Sequence, residues 1–185
     1  MTPSVVPRIA PGDRRDIGLV AAAIAAVSGR VTGTTTPNLF LTLGRHRRLF
    51  RGWLRFAGAL MPGGRLPRRE TELVILRVAH RRSCAYEFEH HRHLGARAGV
   101  TPADVERLTE ATVSPVGWSA REVEVLRAVD RLLDDHDLDD DAWAALSAHL
   151  DDRDLIELVL LVGHYDMLAT TINTLRIRPD RRRRG

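Results

Sequence analysis

The sequence predicts an all-α protein that folds as one domain. Apolar residues recur at helical spacing along most of its 185 residues, and no stretch shows the alternation of a half-buried strand. Helix-start signals are also present, such as the capping box of Ser119 and Glu122. A chain of this length is typical of one domain. We therefore predict a single domain over residues 1–175 and a basic, disordered tail over 176–185.

The first third of the chain is predicted to form two helices. Residues 13–27 carry apolar residues at helical spacing, and the Ser-Gly pair that ends at Gly29 is typical of a helix stop. The segment VTGTTTP is then expected to be a linker. Pro37 opens a long amphipathic helix, with a break near Gly44 and an end at the Pro-Gly-Gly of residues 62–64.

The rest of the chain is also predicted to be helical. Pro67 opens a helix that runs to about His80, and Ser83 is placed to cap the next helix, which runs to Gly99. Four further helices are predicted after Thr101, after Ser119, around Trp143 and after Asp151, the last of them reaching about Arg176.

Composition excludes several kinds of chemistry. Cys84 is the only cysteine, so the chain cannot form an internal disulfide. All 28 basic residues are arginines, so no lysine is present for a Schiff base. The first residues lack the basic-then-apolar pattern of a secretory signal, and no apolar run approaches the ~20 residues of a membrane span. We expect a cytoplasmic protein.

The net charge of +4 is concentrated at one end of the chain. Beyond Leu175 the sequence has six arginines and one aspartate, a charge of +5, which leaves −1 for the rest. No aromatic residue lies between these arginines, as base stacking would require. We therefore interpret the tail as solubilising, and we predict neither nucleic acid nor a membrane as a partner.

The segment SCAYEFEHH, residues 83–91, places reactive side chains on one face of a helix. At about 100° per residue, Cys84, Glu87 and His91 fall on the side that also carries Phe88. A buried glutamate and histidine each cost several kcal/mol unless they are hydrogen-bonded. The face is therefore either a satisfied Glu87–His91 pair beside a small buried cysteine, or a catalytic cluster.

The preceding helix favours the catalytic interpretation. Glu72 shares a face with Ile75, Leu76 and Ala79, so a second carboxylate points into apolar surroundings, where it can serve in proton transfer. Cys84 is expected in the first turn of its helix, where the helix dipole favours the thiolate. Two inward carboxylates, a histidine and a thiol are more than a core requires.

The segment RRETELVILRVAHRRSCAYEFEHHRHLGARAGVT resembles the core motif of the carboxymuconolactone decarboxylase and alkylhydroperoxidase (AhpD-like) family. In the redox branch of that family, a glutamate precedes a C-x-x-C motif by twelve positions, and a histidine lies seven positions after the first cysteine. Glu72, Cys84 and His91 occupy these places, while Glu87 replaces the second cysteine and Tyr86 precedes it.

This resemblance implies a fold and an assembly. Its motif core covers residues 67–100, and the similarity extends over about residues 48–175. It implies an AhpD-like helical bundle that forms a homo-oligomer, a trimer or a hexamer, with the apolar last helix suited to the interface between subunits.

The resemblance also implies a reaction. Without a second cysteine the peroxidase cycle cannot close its disulfide. We therefore expect the decarboxylase branch: a cofactor-independent lyase that acts by acid and base chemistry on a small carboxylated lactone or β-keto acid. Glu72 and His91 would exchange protons with the substrate, Glu87 would tune His91 or serve as a second acid, and Cys84 would line the pocket.

Three further residues are candidates for substrate binding, namely Tyr86, Arg77 and Arg81. No cofactor or metal is expected. Glu87 and His90 have the spacing of a di-iron ligand pair, but the sequence offers no second E-x-x-H to complete such a site.

Two alternatives remain open from the sequence. The first is a single-cysteine thiol peroxidase or redox sensor, in which Cys84 is oxidised to sulfenic acid and reduced by an external thiol. The second is a non-catalytic helical module for oligomerisation, in which the buried polar groups have no chemical task.

Overall fold

The computed structural model describes residues 6–181. These residues form helices and no strand, so the predicted all-α class is confirmed. The helices are α1 (Arg14–Ile17), α2 (Leu19–Thr32), α3 (Asn38–Leu43), α4 (Arg47–Leu60), α5 (Arg68–Arg81), α6 (Ala85–Arg97), α7 (Pro102–Leu108), α8 (Ala120–Asp134), α9 (Asp140–Ser147) and α10 (Asp152–Leu175).

The chain divides into two compact units. Residues 1–62 and 171–185 form one, which we call the terminal unit, and residues 63–170 form the other, the central unit. The motif core over residues 67–100 lies in the central unit. The single domain over residues 1–175 stays a prediction.

Aromatic side chains build the core of the terminal unit. Phe50 is 1% exposed and packs with Ile17 and Ala21. Phe40 meets the rings of Phe50 and Trp53 edge-on, with ring centroids 5.6 Å apart in both pairs. Edge-to-face contacts of this kind add to the free energy gained from burial.

The first long helix extends beyond its predicted stop. α2 continues through Gly29 to Thr32 and ends at Gly33, whose φ of +72° closes the helix. Gly29 instead allows the backbone of Thr35 to pack closely against α2, since a Cβ there would lie 2.5 Å from the carbonyl oxygen of Thr35. The predicted stop was therefore wrong. The predicted break near Gly44 is confirmed, because α3 and α4 are separate helices.

The first residues of the predicted tail make hydrogen bonds within the terminal unit. The backbone N–H of Asn38 donates to the Asp180 carboxylate at 2.7 Å, and the N–H of Thr35 donates to the carbonyl of Arg181 at 2.8 Å. Ile177 is buried. The disorder predicted for residues 182–185 lies outside the described residues.

α5 lies at the centre of the central unit. Every residue from 70 to 79 is buried. α5 contacts α6, α7 and α8, so this stretch has no solvent-facing side, although the sequence predicted one inward face. One apolar cluster in this unit consists of Leu73, Leu76, Val100, Leu108 and Leu126.

α6 is capped one residue later than predicted. Ser83 has a φ of +51°, and Cys84 is the N-cap. The N–H of Cys84 donates to the carbonyl of Ala79 at 2.8 Å, which fixes the start of α6 against the end of α5. A Cβ on Gly95 would lie 3.5 Å from the Cβ of Glu72, so the two helices are close where Glu72 faces α6.

The remaining predicted caps are confirmed. Thr101 and Ser119 each form a capping box, and the Asp151 carboxylate accepts from the N–H groups of Arg153 and Asp154 at 2.9 Å each. The helix α10 is long and apolar enough to cross a membrane, but half of its apolar window is buried within the protein. Such burial is typical of a core helix.

Candidate active site

The structure brings Glu72, His91 and Glu87 into one buried chain. Nδ1 of His91 lies 2.7 Å from Oε2 of Glu72, and Nε2 lies 3.4 Å from Oε2 of Glu87. Glu72 is 0% exposed, and Glu87 and His91 are each 3% exposed. A carboxylate therefore faces each ring nitrogen of one imidazole, away from bulk water. We call this group the carboxylate–histidine relay.

Arg68 connects the relay to the surface. Its Nη2 lies 2.7 Å from Oε1 of Glu72, one turn along α5, and its side chain is 43% exposed while that of Glu72 is fully buried. Each carboxylate oxygen of Glu72 thus has a cationic partner when His91 is protonated. Two carboxylates, one imidazolium and one guanidinium give a neutral cluster, which offsets part of the cost of burying charge.

The relay holds His91 in its protonated form at neutral pH. Burial lowers the pKa of His91, but the hydrogen bonds and charges of Glu72 and Glu87 outweigh burial and raise the pKa to about 9. Both ring nitrogens are therefore donors. A protonated imidazole between two carboxylates can give a proton to a substrate and recover one from water.

Tyr165 of α10 packs edge-on against His91, with ring centroids 5.3 Å apart and an interplanar angle of 90°. Burial, together with the charges of Glu87 and Glu72, raises the pKa of Tyr165 well above its ordinary value, so its phenol is neutral. Sequence reasoning did not find Tyr165, because no spacing rule relates a residue of the last helix to a motif on α6.

Cys84 lies at the start of α6 but remains a thiol. Burial raises its pKa to about 11; the backbone N–H groups of Glu87 and Tyr86 oppose this shift, and the charge of Glu87 adds to it. The predicted thiolate is therefore corrected, because desolvation and a nearby carboxylate outweigh the donors at the helix start. Cys84 is 1% exposed.

Tyr86 lies beside the relay without forming part of it. Its ring is buried and stacks on His90, with centroids 6.4 Å apart. Burial, with the charge of His91, lowers the pKa of His90 to about 4, so His90 is neutral at physiological pH. Among residues 6–181, no three histidine, cysteine or acidic side chains are grouped so that they could hold a metal ion.

Arg77 and Arg81, which the sequence offers as candidates for substrate binding, both bind groups of neighbouring helices. Arg77 is 0% exposed, and its guanidinium binds Asp130 at 2.6 Å and the carbonyls of Leu108 and Glu110 at 2.7 Å each. Arg81 binds the carboxylate of Asp134 at 2.5 Å.

These contacts give both arginines a structural role, since they join α5 to the neighbouring helices. Arg68, four residues before Glu72, is the arginine that binds the relay, and the sequence analysis did not single it out. Its i,i+4 spacing to Glu72 was the available signal.

Comparison with known proteins relates this site to a family. Residues 47–131 match the model of the carboxymuconolactone decarboxylase family. This range contains the three relay residues, Arg68 and Cys84. No curated protein matches the chain in sequence.

Solved structures share the fold at low sequence identity. A peroxidase-related protein from Ralstonia eutropha JMP134, with an alkylhydroperoxidase AhpD core, has a TM-score of 0.83 at 18% identity, over 95% of this chain and 93% of its own. A peroxidase-related protein from Silicibacter sp. TM1040 has a TM-score of 0.78 at 16% identity, over 95% of each chain. The debrominase Bmp8 has a TM-score of 0.76 at 17% identity, over 92% of this chain and 91% of its own. Part of the chain therefore matches the carboxymuconolactone decarboxylase family model, and the fold is that of AhpD-like helical proteins, which confirms the resemblance seen in the sequence motif.

Proposed function

We propose that the protein is a cofactor-independent lyase of decarboxylase type that transfers protons on a small carboxylated lactone or β-keto acid. The observation that carries this proposal is the buried relay, in which Glu72 and Glu87 lie at the two ring nitrogens of His91. Buried, charged groups with no partner outside the cluster are costly to a fold, and active sites are where such arrangements concentrate.

The contacts of the two His91 ring nitrogens with their carboxylates differ in length. On one side, Nδ1 of His91 is held by Glu72 at 2.7 Å, and Glu72 is held by Arg68 at 2.7 Å. On the other side, the 3.4 Å between Nε2 and Glu87 is longer than the ~2.7–3.2 Å of a good N–H···O hydrogen bond. The Nε2 side can therefore exchange partners, and we assign it to the substrate, with Glu72 as the group that orients the ring.

The proposed reaction needs one proton and no electron transfer. Loss of carbon dioxide from a carboxylate β to a carbonyl leaves its electron pair on the α-carbon, shared with the carbonyl oxygen. The His91 imidazolium stabilises that oxyanion by donating from Nε2. A proton from His91 then forms the new C–H bond, and water restores the proton to the relay.

Thiol chemistry at Cys84 is the second candidate. The backbone N–H groups of Glu87 and Tyr86 act to lower the pKa of its thiol, and a cysteine-to-alanine variant of the debrominase Bmp8 has been solved with 2,3,4-tribromopyrrole. In a peroxidase step the Cys84 thiol would take one oxygen from a hydroperoxide, giving sulfenic acid and an alcohol. One external thiol would condense with the sulfenic acid to a mixed disulfide with loss of water, and a second would release the Cys84 thiol from it. Burial and a pKa of about 11 make Cys84 the weaker candidate.

The test is a screen for carbon dioxide release from small carboxylated lactones and β-keto acids. We expect Glu72→Gln and His91→Asn to lower turnover by at least ~100-fold, the usual contribution of a positioned acid or base. His93→Asn on the same helix is the matched control, since His93 lies outside the relay and its Nδ1 contacts the backbone carbonyl of Glu89. Equal turnover by the wild type and both relay variants would contradict the proposal. Loss of activity in Cys84→Ser, together with hydroperoxide consumption, would favour the thiol alternative.

A further inference from the structure

The two units carry opposite net charges. Residues 1–62 and 171–185 contain 15 arginines and three aspartates, a charge of +12, while residues 63–170 contain 13 arginines and 21 acidic residues, a charge of −8. No acidic residue occurs between Asp16 and Glu70. The sequence-based expectation located the positive charge in the tail alone. In the structure, more than half of the +12 of the terminal unit lies outside the tail.

The helix α4 presents much of this charge to solvent. Arg47, Arg48, Arg51 and Arg55 are all exposed. Arg47 donates to the backbone carbonyl of Asp16, at 2.9 Å. The side chains of Arg48, Arg51 and Arg55 form no hydrogen bond or ion pair with any residue in the described range 6–181. Their charges are therefore not neutralised by neighbouring carboxylates.

Exposed apolar side chains lie on the same helix. Leu49 is 66% exposed and Phe56 is 40% exposed, while Phe50 at 1% and Leu60 at 6% face the core of the terminal unit. The positions of Gly52 and Gly58 on this helix have no atom within 4 Å of a Cβ, so a surface can approach the backbone there. Arginines beside exposed leucine and phenylalanine are typical of helices that lie in the interface of a membrane.

Contrary to the expectation from the sequence, which predicted no membrane partner, we propose that the exposed face of α4, with Arg48, Arg51 and Arg55 beside Leu49, binds the surface of anionic membranes. The guanidinium groups would pair with lipid phosphates, which arginine can bind through two parallel hydrogen bonds. Leu49 and Phe56 would enter the boundary between headgroups and acyl chains. A nucleic acid would use the same positive charge but would gain nothing from an exposed leucine, and for this reason we favour lipid. The proposal is independent of the reaction proposed above.

The experiment is flotation of the full-length protein with vesicles of phosphatidylcholine alone or with 30% phosphatidylglycerol, at about 0.05 and 0.5 M salt. We expect binding to the anionic vesicles only, and weaker binding at high salt. Replacing Arg48, Arg51 and Arg55 by glutamine should lower the partition coefficient by about 100-fold, from the contribution of each basic residue near an anionic surface. Leu49→Ser should weaken the binding that remains at high salt.

Two control variants make this test specific. Lysine at the same three positions keeps the charge and should retain binding. Glutamine at Arg92, Arg127 and Arg153 removes three charges from exposed positions of the central unit and should leave binding unchanged. Circular dichroism checks that each variant is folded.

Three outcomes would overturn the proposal. The first is no flotation of the wild type with anionic vesicles. The second is equal loss of binding in both glutamine triple variants, which would indicate a response to net charge alone. The third is tighter binding to double-stranded DNA than to vesicles, with Leu49→Ser having no effect, which would assign the face of α4 to nucleic acid.

Discussion

The chemistry of this protein depends on how burial acts on a few titratable residues. His91 gains two carboxylate partners on burial and stays charged, whereas burial and the charge of Glu87 keep Cys84 neutral. Of two residues that the sequence placed on the same helix face, one is therefore charged and the other is neutral. The face could be predicted from helical spacing, but the charge states could not, since they depend on Glu72 from another helix.

Cys84 is expected to react slowly. With a pKa of about 11 and 1% exposure, it should form sulfenic acid with an organic hydroperoxide more slowly than a free thiol at pH 7.5. Trapping with a dione probe, read by intact mass, measures the rate, and Cys84→Ser is the blank. A rate well above that of a free thiol would contradict this expectation and favour the peroxidase alternative.

At the scale of the helix, features that depend on neighbouring residues in the sequence could be predicted, and features that depend on tertiary contacts could not. The caps at Thr101, Ser119 and Asp151 could be predicted because an N-cap residue bonds N–H groups two or three positions ahead. The role of Gly29 could not be predicted, because it depends on close packing against Thr35, which exists only in the folded chain. Tyr165 could not be predicted for the same reason, because its ring contacts His91 only in the folded chain.

Gly29→Ala tests the close packing at the end of α2. Alanine in place of glycine inside a helix normally stabilises a protein by about 0.5–1 kcal/mol. At Gly29 the new Cβ would lie 2.5 Å from the carbonyl of Thr35, so we expect a loss of about 1–3 kcal/mol instead. The control is Gly52→Ala in α4, where no atom lies within 4 Å. Urea unfolding measures both, and stabilisation by Gly29→Ala would show the contact to be absent.

Arg77 is expected to matter for stability because it joins α5, α7 and α8. Arg77→Met would leave the Asp130 carboxylate and the carbonyls of Leu108 and Glu110 without their donor. We expect a loss of about 3–5 kcal/mol in the free energy of unfolding, as when one partner of a buried ion pair is removed. Arg127→Met is the matched control; it breaks an exposed pair with Glu124 and should cost at most ~1 kcal/mol. Equal effects of the two variants would contradict this role.

At the scale of the whole molecule, buried histidines set the pH range of stability. The folded pKa of His91 is about 9, above the ordinary 6.5, so its stabilising contribution is complete below about pH 6.5 and is lost as pH rises through 9. Burial lowers the pKa of His164 to about 4, so its protonation in the unfolded chain costs stability as pH falls from 6.5 toward 4.

We therefore expect stability to be highest near pH 6.5. Urea midpoints at pH 4.5, 6.5 and 9 test this, and His164→Gln should lessen the loss on the acid side while leaving the alkaline side unchanged. A midpoint that rises between pH 6.5 and 9 would contradict the charged state assigned to His91.

The oligomeric state and the division into two units also concern the whole molecule. The homo-oligomer implied by the family resemblance stays a prediction. Charge was the property least accessible from the sequence, because its division into +12 and −8 appears only when the two ends of the chain are grouped in one unit.

The central claim is that Glu72 and Glu87 hold His91 as a buried imidazolium. Its most direct test is an NMR titration of the His91 ring nitrogens, in the wild type and in Glu72→Gln, with Glu89→Gln on the exposed side of α6 as control. The structure predicts a pKa of about 9 in the wild type and in the control, and a lower pKa in Glu72→Gln. A wild-type His91 that titrates near 6.5, or one that is unaffected by Glu72→Gln, would contradict the relay and the acid–base function built on it.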